Sequence, residues 1–267
     1  MKNSDFQQNV VIVTGASSGI GEALAYQLAD QGARLSLAAR SVEQLEAVAA
    51  ECRQRGGRCL VVPTDVSEES QCRELVSQTF AEYGRIETLF NNAGISMWAI
   101  FARLQELDFL EQLMRVNYFG SVYCTYYALP YLKETKGRIV GVSSLAGKTG
   151  LPTRTGYAAS KHAQVGFFDS LRIEVAPYGV SVTLAYPDFV ATEIRKRAAG
   201  ADGRAIGKSH IREEKVMTAE TCAKILIRDV AKRKRESYMT GRGKISAWLR
   251  VIAPSLLDYF AGRAIKH

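Results

Sequence analysis

Histidine is scarce in this chain: His162, His210 and His267 are the only three in 267 residues, and they stand far apart. With no second ligand at coordinating spacing, metal catalysis is not expected. The five cysteines, Cys52, Cys59, Cys72, Cys124 and Cys222, are odd in number and contain no C-x-x-C pair. Neither a disulfide framework nor a zinc site is indicated, and a reducing compartment fits best. Apolar runs stop well short of the roughly 18 residues that would suggest a membrane span. The first of them, "NVVIVTG", begins at residue 9 and leaves no room ahead of it for a signal peptide, so a cytoplasmic location is expected. No Pro/Gly/Ser-rich linker, repeat or low-complexity stretch divides the sequence, which reads as one domain over 1–267.

Charge is present in excess but unevenly. The formal net charge is +8, and residues 228–267 hold ten Lys/Arg against Asp229, Glu236 and Asp258, leaving 25 basic against 24 acidic in the first 227 residues. The basic excess therefore belongs to the tail. There the cluster "AKRKRE" precedes "ISAWLRVIAPSLLDYFAGRAIKH", whose Trp248, Ile252, Leu256, Leu257 and Phe260 can share one apolar side. Such a tail suits peripheral contact with an anionic membrane; the alternative is an apolar side packed on the domain or a partner, with its charges solvated.

Short β-rich runs alternate with helical patterns. The runs are "VVIVT" (10–14), "ARLSLAA" (33–39), "RCLVVP" (58–63), "IETLFNN" (86–92), "RIVGVSS" (138–144), "VSVTLAY" (180–186) and "SYMT" (237–240). Between them, amphipathic segments of helix length cover 19–31, 41–55, 68–83, 107–134 and 157–176. Nearly continuous apolar strands separated by helices mean a parallel sheet covered on both faces, hence an α/β doubly wound fold with ligands beyond the strands' carboxyl ends. Residues 189–217 lack clear periodicity and read as a substrate lid with marginal helices.

Between the first strand and helix, "TGASSGIG" (14–21) places Gly15, Ser17, Ser18, Gly19, Ile20 and Gly21 in one turn. Glycines there permit a tight turn and let backbone N–H groups approach a pyrophosphate. The second strand ends "AAR", with Ala39 where an NAD site offers an acidic residue, followed by Arg40 and Ser41. A guanidinium without a competing carboxylate favours the 2′-phosphate of NADP(H) over NAD(H). Asp65 and Val66 close the third strand, where Asp65 is either an acceptor for the adenine amino group or a turn residue ahead of a Ser67 helix cap. "NNAG" (91–94) gives Asn91, Ala93 and Gly94 at the end of the fourth strand, small enough for backbone to run against a cofactor.

"YAASK" (157–161) sets Tyr157 and Lys161 four apart, on one helix face and one turn from each other. A free tyrosine titrates near pH ~10 and is a poor acid or base at neutral pH. A protonated lysine at ~4 Å, with an effective dielectric near 20, offers about 4 kcal/mol before desolvation, enough to favour the phenolate.

Taken together, these segments resemble the short-chain dehydrogenase/reductase family in its single-domain branch with TGxxxGxG and YxxxK motifs. "TGASSGIG", "NNAG", "SS" (143–144), "YAASK" and "PDFVAT" (187–192) occur in family order over residues 9 to about 192. The resemblance implies a Rossmann-type three-layer α/β/α sandwich with a seven-stranded parallel sheet in the order 3-2-1-4-5-6-7. It carries catalytic roles onto Asn117, Ser144, Tyr157 and Lys161, with Ser144 preferred to Ser143 by its separation from the tyrosine. Lys161 and Tyr157 should also touch the cofactor, and Pro187, Val190 and Thr192 match positions along the nicotinamide. Asn117 should hold a water that relays protons to Lys161. An oxidoreductase exchanging hydride between NADP(H) and a ketone or secondary alcohol is the expected activity, with Tyr157 as general acid/base.

One departure stands out: the family usually has Pro-Gly where this chain has Pro187-Asp188. Aspartate tolerates positive φ, so the fold survives, and its carboxylate either discourages anionic substrates, pairs with a cation or faces solvent. Met97, Trp98, Ile100 and Phe101, with Phe189 at the lid, suggest an apolar, lipid- or steroid-like substrate. Alternatives are a 3-oxoacyl thioester reductase, whose phosphates a basic lid (Arg195, Lys196, Arg197, Arg204, Lys208) would meet, and a non-enzymatic NADP(H)-binding sensor. The tail shows no nucleic-acid module, so no nucleic-acid partner is expected. Ala159, Ala163, Gly166 and Ser170 form a small-residue stripe that fits close helix approach in a homo-oligomer.

Overall fold

A computed structural model describes residues 5–207 and 216–264. Strand β1 (Val10–Thr14) is buried along its whole length and leads through the glycine turn into α1 (Gly19–Ala29). The chain then alternates β2 (Arg34–Ala39), α2 (Val42–Gln54), β3 (Arg58–Pro63), α3 (Glu69–Tyr83) and β4 (Thr88–Asn91). After α4 (Asp108–Met114) and α5 (Gly120–Glu134) come β5 (Arg138–Val142), α6 (Thr155–Val175) and β6 (Ser181–Tyr186). Two short strands, β7 (Val190–Ala191) and β8 (Met217–Thr218), pair with each other, and α7 (Ala219–Ala231) leads to β9 (Glu236–Tyr238). The described chain closes with α8 (Gly241–Ile252) and α9 (Pro254–Ala264).

The main sheet has seven strands in the order β3-β2-β1-β4-β5-β6-β9, and every pairing is parallel. This is the expected order, its seventh member being ninth in the chain because β7 and β8 intervene. Period-two alternation splits the strand side chains between two cores. Val11, Val13, Leu35 and Leu37 pack with α1, α2 and α7 on one face; Ile12, Ala38, Leu89 and Ile139 pack with α3, α5 and α6 on the other. Both faces are thus covered, and the strands' carboxyl ends are left to form a crevice.

Two expectations need correction. The helical pattern over 107–134 is interrupted by a π-helical turn, Arg115–Phe119, which holds Asn117; side-chain periodicity cannot reveal one extra residue in a turn. The lid forms bridges rather than helices: Ala199 pairs with Met97 and with Ala205, and only a 3-10 turn, Glu193–Arg195, is helical among its described residues. Lys208 and His210 lie outside the described residues, as does His267.

The tail divides in two. Arg233 donates to the Lys136, Gly137 and Gly179 carbonyls, Lys234 to the buried Asp229, and Arg235 to Asp169. Three of the four "AKRKRE" cations are therefore engaged within the fold, and Lys232 is exposed. On α8 and α9, Ile245, Trp248, Val251, Ile252, Leu256, Tyr259 and Phe260 are exposed, whereas Leu257 is buried. No described helix is long and apolar enough to cross a membrane.

Candidate active site

The glycine turn is shaped by close backbone approach. Gly15 (φ +65°) and Gly19 (φ +61°) lie in the left-handed region. A Cβ on Gly15 would meet Ala93 Cα at 2.8 Å, and one on Gly21 would meet the Gly15 carbonyl oxygen at 2.1 Å. Gly19 faces Thr192, whose Cγ2 would stand 2.9 Å from its Cβ. Ser18, the residue before α1, makes no side-chain cap, so the first N–H groups of this helix remain open to an anion. Ser17 and Ile20 are half-buried in the same turn.

Asn92, which the sequence reading passed over, ties this turn to β4: its Nδ2 donates to the Thr14 carbonyl at 2.9 Å and the Gly15 carbonyl at 3.2 Å. Its position inside "NNAG" was the available signal. Asn91 instead is buried, and its Nδ2 donates to Thr125 Oγ1 at 3.0 Å. Asp65 Oδ1 accepts from Ser67 N (2.9 Å) and Ser67 Oγ (2.7 Å), an Asx turn. Ser67 is thereby occupied, and the N-cap position of α3 falls on Glu68, whose side chain makes no cap hydrogen bond. Val66 is buried where Gly120 crosses it, a Cβ there standing 2.8 Å from Val66 Cγ2. Arg40 and Ser41 are exposed at the carboxyl end of β2, and no ion pair engages Arg40 among the described residues.

Across the crevice, Lys161 Nζ lies 5.9 Å from the Tyr157 ring centroid, so the two side chains share one side of α6. Nζ donates to the Val142 carbonyl at 2.8 Å and to Gln164 Oε1 at 3.5 Å. Gln164 follows Lys161 by three residues, a spacing that could have flagged it. Ser143 Oγ is buried and donates to the Lys161 carbonyl, whereas Ser144 caps a short turn, its Oγ accepting from Ala146 N at 3.2 Å, with its hydroxyl against the Tyr157 phenol. Asn117 Oδ1 accepts from Ile95 N at 2.8 Å, and its Nδ2 donates to the Ile95 carbonyl at 3.1 Å and Ser160 Oγ at 2.9 Å. A Cβ on Gly94 would lie 3.1 Å from Asn117 Oδ1 and 3.6 Å from Lys161 Nζ, which puts these two polar groups on one wall.

Burial changes the expected electrostatics. It pushes the Lys161 ammonium down to about 7, so this lysine is not a fixed cation at neutral pH. The Tyr157 phenol is pushed up by burial, while the Ser144 contact and the nearby Arg154 guanidinium work in the opposite direction. Burial thus works against the charged form of both side chains, an effect that their spacing alone does not reveal.

Asp188 adopts no positive φ; the non-glycine residues that do are Gln8, Lys136, Thr153 and Arg233 among the described residues. Its Oδ1 accepts from Phe189 N, and its Oδ2 accepts from Arg242 Nη2 at 2.6 Å and Arg242 Nε at 3.1 Å. Of the three open readings, pairing with a cation is the one observed. The bond joins the loop after β6, where Pro187 accepts from Leu145 N at 3.1 Å, to the start of α8. At its other end, α8 places Arg250 on the Lys148 carbonyl and on His162 Nε2. Beyond the loop, Val190 is buried in β7 and Thr192 half-buried against Gly19.

The apolar wall is only partly open. Met97 is packed with Ala99 and Leu113, its Sδ accepting from Gly156 N, so it is core rather than pocket. Trp98, Ile100 and Phe189 are half-buried and Phe101 is 58% exposed. Of the lid cations, Arg195 is buried, Lys196 pairs with Glu193 at 2.8 Å, Arg197 and Arg204 are exposed, and Lys208 lies outside the described residues. No cluster of potential metal ligands occurs among the described residues.

A doubly wound parallel sheet whose glycine turn faces a tyrosine–lysine pair is the build of a dinucleotide-dependent oxidoreductase. The sequence model of the family described as short chain dehydrogenase matches residues 9–202, and the chain belongs to the short-chain dehydrogenase/reductase family. The protein named 11-beta-hydroxysteroid dehydrogenase-like 2 of Arabidopsis thaliana is 36% identical over 258 residues, spanning 94% of this chain and 79% of the relative. A short-chain dehydrogenase/reductase from Burkholderia phymatum, solved in complex with NAD, superposes with a TM-score of 0.83 at 24% identity, covering 95% of this chain and 96% of the other. An alcohol dehydrogenase from the archaeon Thermococcus sibiricus, solved with 5-hydroxy-NADP, gives 0.76 at 27% identity, covering 86% and 95%. Family membership makes this chain a dehydrogenase/reductase that uses a nicotinamide cofactor on an alcohol or carbonyl group.

Proposed function

We propose that the protein is an NADP(H)-dependent oxidoreductase acting on an apolar ketone or secondary alcohol of lipid- or steroid-like type. The observation that carries this reading is the joint placement of Ser144, Tyr157 and Lys161 at the carboxyl ends of the strands, across from an uncapped glycine turn. When bound, the nicotinamide supplies or takes the hydride. Tyr157 gives a proton to the carbonyl oxygen in reduction and takes it back in oxidation, while the Ser144 hydroxyl polarises that oxygen. Lys161, held by Val142 and Gln164, would hold the nicotinamide ribose, and Asn117, bonded to the Ile95 backbone, would hold a proton-relaying water beside it.

Cofactor choice rests on Arg40 and Ser41, exposed at the carboxyl end of β2 where a 2′-phosphate would lie; of the two solved structures, one holds NAD and the other an NADP analogue. The Arabidopsis relative's name and the half-buried Trp98, Ile100 and Phe189 support the apolar substrate. Our reading of 1–267 as a single domain is supported by the seven-stranded main sheet, whose edge strands are β3 and β9. The outward positions of Ala159, Gly166 and Ser170 on α6 suit pairing of two copies, for which sedimentation at micromolar concentration is the measurement. The exposed apolar side chains of α8 and α9, flanked by Lys244, Arg250 and Arg263, suit a cytoplasmic protein resting on an anionic membrane, read by co-sedimentation with anionic vesicles.

Tyr157→Phe tests the central claim. Turnover of NADPH with a panel of steroidal and small hydrophilic ketones should be lost while NADPH binding persists. Full activity in that variant refutes the mechanism, and activity confined to hydrophilic carbonyls refutes the substrate class.

A further inference from the structure

Arg154, three residues before Tyr157, is a guanidinium placed at cost. It is only 6% exposed, it stands at the N-terminal end of the 21-residue helix α6 where the helix dipole disfavours a cation, and no carboxylate pairs with it among the described residues. Its Cζ sits 4.5 Å from the Trp98 ring centroid and 5.7 Å from that of Tyr157, and Nη1 donates to Ser96 Oγ. The residue before it, Thr153, is β-branched, buried and held at φ +66°, a strained backbone that turns the chain into the start of α6. Two aromatic faces and one hydroxyl hold the charge in place beside the phenol.

We propose that Arg154 is a positioning residue for the reaction, the permanent positive charge that keeps the Tyr157 phenol acidic enough to exchange protons; this rests on the assignment of Tyr157 as acid/base. The charged groups around Tyr157 divide the task. Burial lowers the pKa of Lys161, on the same helix, to about 7, so its charge is divided with the neutral amine near neutral pH. Ser144, from the loop after β5, contributes only a hydrogen bond, and Arg195, from the segment after β7, acts on Arg154 rather than on the phenol. A guanidinium stays charged throughout this range.

The test compares wild type with Arg154→Met and Arg154→Lys as complexes with oxidised cofactor. The tyrosine Cζ carbons are labelled with carbon-13, and the Tyr157 signal is assigned by its loss in Tyr157→Phe. Arg154→Met should raise the Tyr157 titration midpoint by about one to two pH units, as removal of a cation at this distance implies. The alkaline rise of kcat for alcohol oxidation should move with it, and Arg154→Lys should restore most of both. Arg154→Gln, which keeps a donor for Ser96, replaces the methionine variant if that one does not fold. An unmoved midpoint in a folded neutral variant overturns the proposal, as does a change confined to substrate KM, which would make Arg154 a substrate anchor. Because the midpoint is read without turnover, retained activity in Tyr157→Phe would refute the functional assignment separately.

Discussion

Replacing Lys161 by methionine should stabilise the protein without ligand, and should do so in a pH-dependent way. Burial holds the folded-state pKa at about 7 against 10.5 for an ordinary lysine. Between those values the unfolded chain binds a proton that the folded chain does not, so wild-type stability rises with pH across this window. Each tenfold change in proton affinity is worth about 1.4 kcal/mol, which sets the burial penalty at roughly 4–5 kcal/mol near neutral pH, fading towards pH 10.5. Methionine removes that penalty but strands the Val142 carbonyl and the Gln164 amide, at about 1–3 kcal/mol. A net gain of about 2 kcal/mol at pH 7 follows, or a Tm about 5 °C higher for a chain of this size. Thermal melts of both proteins from pH 6 to 10 measure it: the gap should close with rising pH and reverse near pH ~9. Other titrating groups are common to both and cancel in the difference. Parallel pH profiles would refute the reasoning, since they would mean that Lys161 carries the same charge folded and unfolded.

Gly21→Ala should destabilise the fold by about 1–3 kcal/mol in urea unfolding and weaken cofactor binding, because its Cβ has nowhere to go but into the Gly15 carbonyl; wild-type values would exclude that packing. Arg40→Ala should lower the NADP/NAD ratio of kcat/KM roughly ten- to a hundredfold, the worth of one or two charge-assisted hydrogen bonds, and an unchanged ratio would remove Arg40 from the site. Arg242→Ala breaks a pair that is mostly exposed on the arginine side, so global stability should fall by no more than about 1 kcal/mol. Amide exchange within 241–252 should nevertheless accelerate as α8 loosens from the loop at Asp188, and protection equal to wild type would show that the pair does not hold the helix.

Strand and helix positions were legible because they depend on local periodicity. The runs at 10–14 and 58–63 coincide with β1 and β3, and Tyr157 and Lys161 share a side of α6 because four residues make one turn. The π turn around Asn117 was not legible, since one extra residue in a helical turn leaves no mark on composition.

What the sequence alone determined is therefore the local order: a parallel α/β chain, a glycine turn after β1, a tyrosine and lysine one turn apart. Tertiary structure decided everything that depends on burial and on partners distant in the chain. It turned Met97 into core, gave Asp188 to Arg242 across 54 positions and engaged Arg233, Lys234 and Arg235 within the fold. Above all it set the electrostatics of the site: spacing can bring Lys161 beside Tyr157, but whether that lysine keeps its proton depends on the solvent excluded around it, which no local pattern encodes.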